Sequence, residues 1–539
     1  MHFFGDDQMT HSKDPDDTCN GFSRRRFLEV ATVLGASAAM ASALQPGMAF
    51  AAPATPKAGG HARFAINDGA PSDSYDPAGW LTSFAQAAFG GTLTNGLTEL
   101  AVDGSIVAAL AESYQANGDL TVWTFTLRPG LVFHDGRPVT PNDVIASYRH
   151  HMSKDSTSGV KASLDTLTDI SAKGEHDVVF TLSGGNADFP YTVSDNHLAI
   201  MPANADGTLD WQKGVATGPY MVESFQPGTV LKMKRNPHYF KKGLPWFDSV
   251  EFVSIADVAA RTNALVTGEV DYMVDADIKT LAMLERNPKV HVLRTAGVRH
   301  FSFDMNAKVA PFDKPEVRLA MKYAMDREAI LKKVFLGNAK IADDNPIAPQ
   351  IKFATQPKPL HTYNPDKARA LLKQAGLDSI EVDLSVADTA FPGAVDAALL
   401  YKDSAAKAGI TINVIREADD SYWDKIWQHK PFVACDWLGK PTLDAMFTTS
   451  YASNGPWNDT GWANPTFDQL LVQGRGESDP VKRQAIYAQM QQILHDDGGA
   501  IVMVYAQFID AVSDKIAHGP LGNMLQCDNF RMAERWWMA

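Results

Sequence analysis

Apolar and polar residues alternate strictly from Trp123 to Leu127 (WTFTL), which predicts a strand with one buried face. Arg128-Pro129-Gly130 interrupts it, Leu131-Val132-Phe133 resumes it, and His134-Asp135-Gly136 supplies a turn whose glycine tolerates positive φ. Thr140 is placed to cap a helix, with Pro141 as its first residue and Asp143 as the acidic third position of a capping box. Val144, Ile145 and Tyr148 give that helix a buried face. Residues 133–152 also contain three histidines and two carboxylates, which raises the question of a metal or catalytic site. His150 and His151 are neighbours, so on a helix they project about 100° apart and cannot clamp an ion as an i, i+4 pair would. The pattern predicts a structural joint.

The middle of the chain predicts an α/β unit. Ile380, Val382, Leu384 and Val386 alternate as a strand, residues 393–408 read as a helix ended by Gly409, and Ile410, Ile412 and Val414 alternate again. Short connections between them imply a βαβ crossover and a parallel pair. A helix-like segment from Asp420 to His429 leads to a further apolar run, Phe432 to Cys435. Upstream, Asn364-Pro365 opens a helix that Gly376 ends, and Asp313 and Pro315 open another carrying Val317, Ala320, Met321 and Ala324 on one face. Asp326 restarts that helix and Gly337 ends it. Residues 216–256 are strand-rich, a helix near 257–266 stops at Gly268, and Val270, Tyr272 and Val274 follow as a strand.

Composition narrows the partners. A length of 539 residues suggests about three domains, and a net charge of -14 with no long basic stretch argues against nucleic acid. The N-terminus reads Ser23-Arg24-Arg25-Arg26-Phe27-Leu28, then an uncharged stretch from Val30 to Pro56, with Ala49-Phe50-Ala51 before a candidate first mature residue, Ala52. This resembles a twin-arginine export signal. The alternative is a membrane anchor, disfavoured by the interruption at Gln45-Pro46-Gly47 and the many small residues. No later run reaches the roughly eighteen apolar residues that a spanning helix needs. Cys19 lies upstream of the arginines, so it cannot be a lipid-anchored first residue. Cys435 and Cys527 could pair in an oxidising compartment, but their spacing does not decide it.

Five stretches occur in one order: TFTLRPGLVFHDGRPVTPNDVIASYRHHM, ATGPYMVESFQPGTVLKMKRNPHYFKKGLPWFDSVEFVSI, ALVTGEVDYM, PFDKPEVRLAMKYAMDREAILKKVFLGNA and WANPTFDQLLVQGRGESDPVKRQAIYAQMQQIL. In that order they resemble the family 5 extracytoplasmic solute-binding proteins, relatives of the dipeptide and oligopeptide receptors of ABC transporters. The resemblance covers nearly all of residues 60–510. It implies an α/β, two-lobed periplasmic binding protein (type II, cluster C-like) with an extra domain on the N-terminal lobe. The implied division is a signal at 1–51, lobe I at 52–90, 215–297 and 506–539, an extra domain at 91–214, and an α/β lobe at 298–505. A small ligand would be held between lobes that close by hinge motion, then passed to a membrane permease with ATPase subunits. The expected molecule is a periplasmic monomer without cofactor.

Ligands of parallel α/β sheets collect beyond the carboxyl ends of the strands. The run Phe432 to Cys435 leads into Asp436-Trp437-Leu438-Gly439-Lys440-Pro441, so Asp436 and Trp437 are the first site candidates. Trp437 could cover an apolar ligand group and Asp436 could pair with an amine; a packed tryptophan and a helix-capping aspartate are the structural alternatives. The resemblance places an amine-binding Asp four residues before the corresponding proline, where this chain has Trp437, with Asp436 one position earlier. Either a one-residue insertion restores the role to Asp436, or the amine anchor is lost and the ligand class differs. The stretch SDSYDPAGW matches the family's opening loop and adds Tyr75 and Trp80 as wall candidates, while Asp76 reads as a turn residue before Pro77. Tyr451 and Trp457 flank ASNGP and are further candidates.

Catalysis finds little support. The chain has no HExxH, GxSxG, Walker-type or dinucleotide glycine motif, and its histidines are scattered without metal-ligand spacing. A binding role is expected for a peptide or peptide-like solute, with opines, oligosaccharides and nickel chelates as alternatives; a periplasmic hydrolase is the distant rival.

Overall fold

The computed structural model describes residues 55–539. The export-signal reading lies outside them.

The chain is organised by one large sheet whose strands belong to two halves. In spatial order these are Ile410–Arg416, Ile380–Val386, Phe432–Trp437, Val290–Met305, Ala500–Ser513, Tyr272–Met273, His61–Ile66, Ser249–Ser254, Val230–Arg235 and Tyr220–Gln226. The two longest strands run antiparallel through both halves. Val290 to Ala296 face Gln507 to Ser513 in one half, and His300 to Asp304 face Ala500 to Tyr505 in the other. Their register breaks between Ala296 and His300, where an irregularity bends the ladder. Glycine is required there: a Cβ on Gly297 would lie 2.9 Å from the Ala506 carbonyl oxygen and 3.0 Å from the Phe508 ring.

The second half is the α/β unit that the periodicity predicts. Ile380–Val386 and Ile410–Arg416 pair in parallel from Ile380↔Ile410 onward, joined by the helix Ala394–Ala406. Phe301, Phe303, Phe391, Tyr401 and Phe432 pack into its core. Helices Pro365–Gln374 and Arg327–Lys333 begin at Asn364 and Asp326, whose side chains accept from the Lys367 and Ala329 amides at 2.9 and 3.0 Å. In the first half, His61–Ile66 runs parallel to Ser249–Ser254 and Tyr272–Met273 around Phe64, Phe252 and Trp536.

A separate four-stranded antiparallel sheet, ordered Ala111–Ala116, Val122–Leu127, Asp177–Leu182 and Leu167–Lys173, packs against the helix Pro141–Met152. Trp123, Phe125 and Leu127 point inward, as their alternation requires. The capping box at Thr140 and Asp143 is present, with the Thr140 amide donating to the Asp143 carboxylate at 2.7 Å. The histidines of 133–152 go to three places. His134 Nε2 lies 3.1 Å from the Gly218 carbonyl, His150 Nε2 2.7 Å from Asp76, and His151 Nδ1 2.7 Å from Ser158 Oγ. They join segments and do not converge.

Three elements differ from expectation. The strand at Val270–Val274 is only Tyr272–Met273, because its partners there are themselves short-ranged: two residues each on His61–Ile66 and Ala500–Ser513. The helix over 420–429 is a single turn, Tyr422–Lys425, after which Gln428 takes a left-handed φ of 61°. The strand starting at Phe432 continues to Trp437, because its ladder with Val290–Met305 carries on to His300↔Trp437.

Candidate functional site

Asp436 and Trp437 are therefore the last strand residues, not loop residues, and they point to opposite faces of the sheet. Asp436 shares its face with Phe301, its ladder partner. There Arg299, from the register break, donates through Nε to both Asp436 carboxylate oxygens at 2.9 and 3.0 Å, and through a second guanidinium nitrogen. Asp275, from the first half, lies in the field of this pair, and its carboxyl is pushed up by burial, against the charges of Arg299 and Arg261. Its amide donates to Asp510 Oδ1 at 3.0 Å and Asn67 Nδ2 donates to its carboxylate at 3.0 Å. Burial and the Asp275 charge push Asp510 up to about 7. The waist between the halves is thus rich in carboxylates, with two arginines among them.

On the other face Trp437 belongs to a row of indoles. Trp423 and Trp427 rings are 5.8 Å apart, Trp427 and Trp437 6.3 Å, and Trp437 and Trp457 6.2 Å. Trp437 is buried, whereas Trp457 is 46 % exposed and Leu438 is 59 % exposed. Lys440 Nζ lies 5.7 Å from the Trp457 ring centroid, within cation–π range. Lys440 forms no ion pair among the described residues. Beside it a cavity of about 420 Å³ opens between 160–198 of the small antiparallel unit and 440–475 of the second half, lined by Asp188, Tyr191, Asp195, Lys440, Thr442 and Arg475 among others. A second depression is lined by Glu328, Leu331, Lys332, Leu336 and Gly337 and shares no lining residue with this cavity.

The remaining candidates are dispersed. Trp80 has no exposed surface: its indole N–H donates to the Ser74 carbonyl at 3.0 Å and its ring lies 5.9 Å from Phe89. Tyr75 packs edge-on against Phe89 at 5.5 Å and near Phe225 at 5.3 Å. Trp80 is folded into the core of the first half, whereas Tyr75 packs against that core while keeping part of its surface exposed. His197 ties this loop to the small unit, with Nδ1 2.7 Å from Asp195 and Nε2 2.8 Å from the Trp80 carbonyl. Asp76 accepts from the Ala78 amide at 2.9 Å, in the turn role read for it. Tyr451 is 3 % exposed. Sequence reading missed Arg299 and Asp275, and named Lys440 only as part of the candidate loop. The signal for Arg299 was Gly297, which breaks an otherwise long alternating run; Lys440 stood unweighed in the loop already singled out.

Two groups of buried side chains have metal-ligand chemistry. In the first, Asp343, His361 and His495, the two imidazoles stack with centroids 3.6 Å apart and planes 18° from parallel, so their in-plane lone pairs cannot converge on one ion. Arg327 and Lys322 compensate its neighbouring Asp344, with Arg327 donating to the carboxylate at 2.6 Å. The second is Asp304, Cys435 and Asp459. Cys435 and Cys527 are both buried and unpaired.

A two-lobed sheet with two crossing strands and a cavity beside the carboxyl end of a central strand defines a binding protein of the periplasmic type. Residues 105–459 match the family model described as bacterial extracellular solute-binding proteins, family 5 middle, and the chain belongs to that family. It is 24 % identical over 443 residues to the glutathione-binding protein GsiB of Pectobacterium atrosepticum, covering 77 % of this chain and 83 % of that one. It is 26 % identical over 503 residues to di/tripeptide-binding protein 1 of Pseudomonas aeruginosa, covering 85 % and 92 %. The structure of the periplasmic binding protein DppA from Helicobacter pylori with the peptide STSA has the same fold, with a TM-score of 0.74, 23 % identity and coverage of 89 % and 98 %.

Proposed function

We propose that this chain is the substrate-binding component of an ABC importer, exported by the twin-arginine route and free in the periplasm. In this reading it captures a peptide or peptide-like solute as a monomer and delivers it to a permease with ATPase subunits. The observation that carries the reading is the waist: two strands common to both halves, with register shifts between Ala296 and His300 and between Phe301 and Ser302, so that hinge motion at 297–299 and 505–507 opens and closes the halves. The chain then divides into lobe I at 52–90, 215–297 and 506–539, an extra domain at 91–214 and the α/β lobe at 298–505.

The ligand rests against Trp457, Leu438 and Lys440 over the 420 Å³ cavity, with Trp437 beneath. Lys440 offers a cation to a ligand carboxylate, and the exposed indole offers a flat apolar face. Asp436 is held by Arg299, so a ligand amine meets it only in competition with that guanidinium. Relatives that bind glutathione and di- or tripeptides support the ligand class.

A thermal-shift screen with di- to pentapeptides, glutathione, opines, sugars and nickel chelates tests this, since a ligand that binds the folded state raises Tm. Peptides or glutathione should stabilise the protein, and Lys440→Ala should weaken binding about tenfold, the loss of one charge-assisted contact. Stabilisation by sugars, opines or chelates but by no peptide overturns the ligand class. Turnover of any of them by the purified protein overturns the receptor reading.

A further inference from the structure

The two acids Asp304 and Asp459 pose a problem of charge. They are 1 % and 7 % exposed, and neither forms an ion pair with Lys, Arg or His among the described residues. Two buried carboxylates without a cation are costly in the charged form. Cys435, 1 % exposed, completes the group: one carboxylate oxygen from each acid and the Cys435 Sγ all lie within 4.8 Å of one another.

Strand pairing explains the convergence. The ladder sets Ser302 opposite Cys435 and Asp304 opposite Val433, so Asp304 and Cys435 are diagonal neighbours on one face of the sheet. Asp459 comes over them from the loop after Trp457. Two donors from the surroundings orient the acids. Ser302 Oγ donates to Asp304 Oδ2 at 2.9 Å, and Trp427 Nε1 donates to Asp459 Oδ2 at 2.9 Å. The Cys435 thiol makes a long contact, 3.8 Å, to the Asp436 carbonyl and lies within 4.8 Å of both carboxylates.

A second observation points to a ligand. Asp304 Oδ1 and the Tyr451 hydroxyl are buried with no hydrogen-bond partner. Unpartnered buried polar atoms of this kind call for a missing partner.

We propose that Asp304, Cys435 and Asp459 form a structural divalent-cation site of zinc type, with a water as fourth ligand. One thiolate and two carboxylates suit zinc better than calcium or magnesium, which prefer all-oxygen shells. Tetrahedral zinc holds its ligand atoms roughly 3.5 Å apart, so the group closes slightly around the ion. Ion binding to a thiol releases its proton into solvent. Through Trp427 and the strand carrying Trp437, the bound ion would pin the indole row from behind.

The test uses the purified protein stripped with a chelator and titrated with Co²⁺ near pH 7.5. The expected result is about one equivalent bound, with a near-ultraviolet thiolate-to-cobalt charge-transfer band, release of protons, and displacement of the band by Zn²⁺. In Cys435→Ser with unchanged circular dichroism the band is lost, and Asp304→Asn weakens uptake. Folded wild-type protein that shows no saturable cobalt band overturns the proposal, as does a band that survives in Cys435→Ser.

Discussion

Asp510 shows how one residue at the waist sets a pH dependence. Its folded pKa of about 7 lies above the ordinary carboxylate value, because it is buried next to Asp275. A raised folded pKa gives stability that is complete below about pH 4 and is lost as pH rises through 7, where the buried group must ionise. Asp510→Asn keeps an oxygen to accept from the Asp275 amide. Denaturant melts should show this variant more stable than wild type by roughly 2 kcal/mol at pH 8, with the two converging near pH 4. A constant difference across that range contradicts the assignment. The Arg299–Asp436 pair is the other residue-scale test. Arg299→Ala leaves a partly buried carboxylate alone and should cost about 2–3 kcal/mol, whereas the double change Arg299→Met with Asp436→Leu should recover most of the loss. Additive losses in the double variant would mean the two do not act as a pair.

At the scale of elements, the register break is the feature that separates a rigid sheet from a hinged one. Gly297→Val would push a branched side chain against the Ala506 carbonyl and Phe508 ring, 2.9 and 3.0 Å from the Cβ position. It should destabilise the protein by about 2 kcal/mol and weaken ligand-induced stabilisation more than a matched substitution at an exposed strand position. Equal effects at both positions would argue against a hinge there. Most elements were legible from local pattern. The strand at 122–127 and the βαβ unit rest on period-two alternation and capping residues that are written locally. The continuation of Phe432–Trp437 was not, because a partner over 130 residues earlier in the chain extends it. The site divides in the same way. The rule about carboxyl ends points to the loop after the strand as a candidate. That Asp436 and Trp437 face opposite sides, that Trp80 is buried on Phe89, and that Asp304, Cys435 and Asp459 meet depend on pairings distant in sequence.

For the whole molecule, the account requires one chain to act alone. Among the described residues no helix is long and apolar enough to cross a membrane. Light scattering of the purified protein should return a monomer mass, with and without ligand; a stable dimer would contradict the proposed mode of action. Native mass spectrometry of freshly purified protein should reveal a bound guest of peptide-like mass, released on denaturation. The most direct measurement is small-angle X-ray scattering before and after saturation with a ligand whose binding calorimetry has established. The account predicts a smaller radius of gyration and maximum dimension in the bound state, as the halves rotate together about residues 297–299. Superimposable profiles for the free and saturated protein would contradict it.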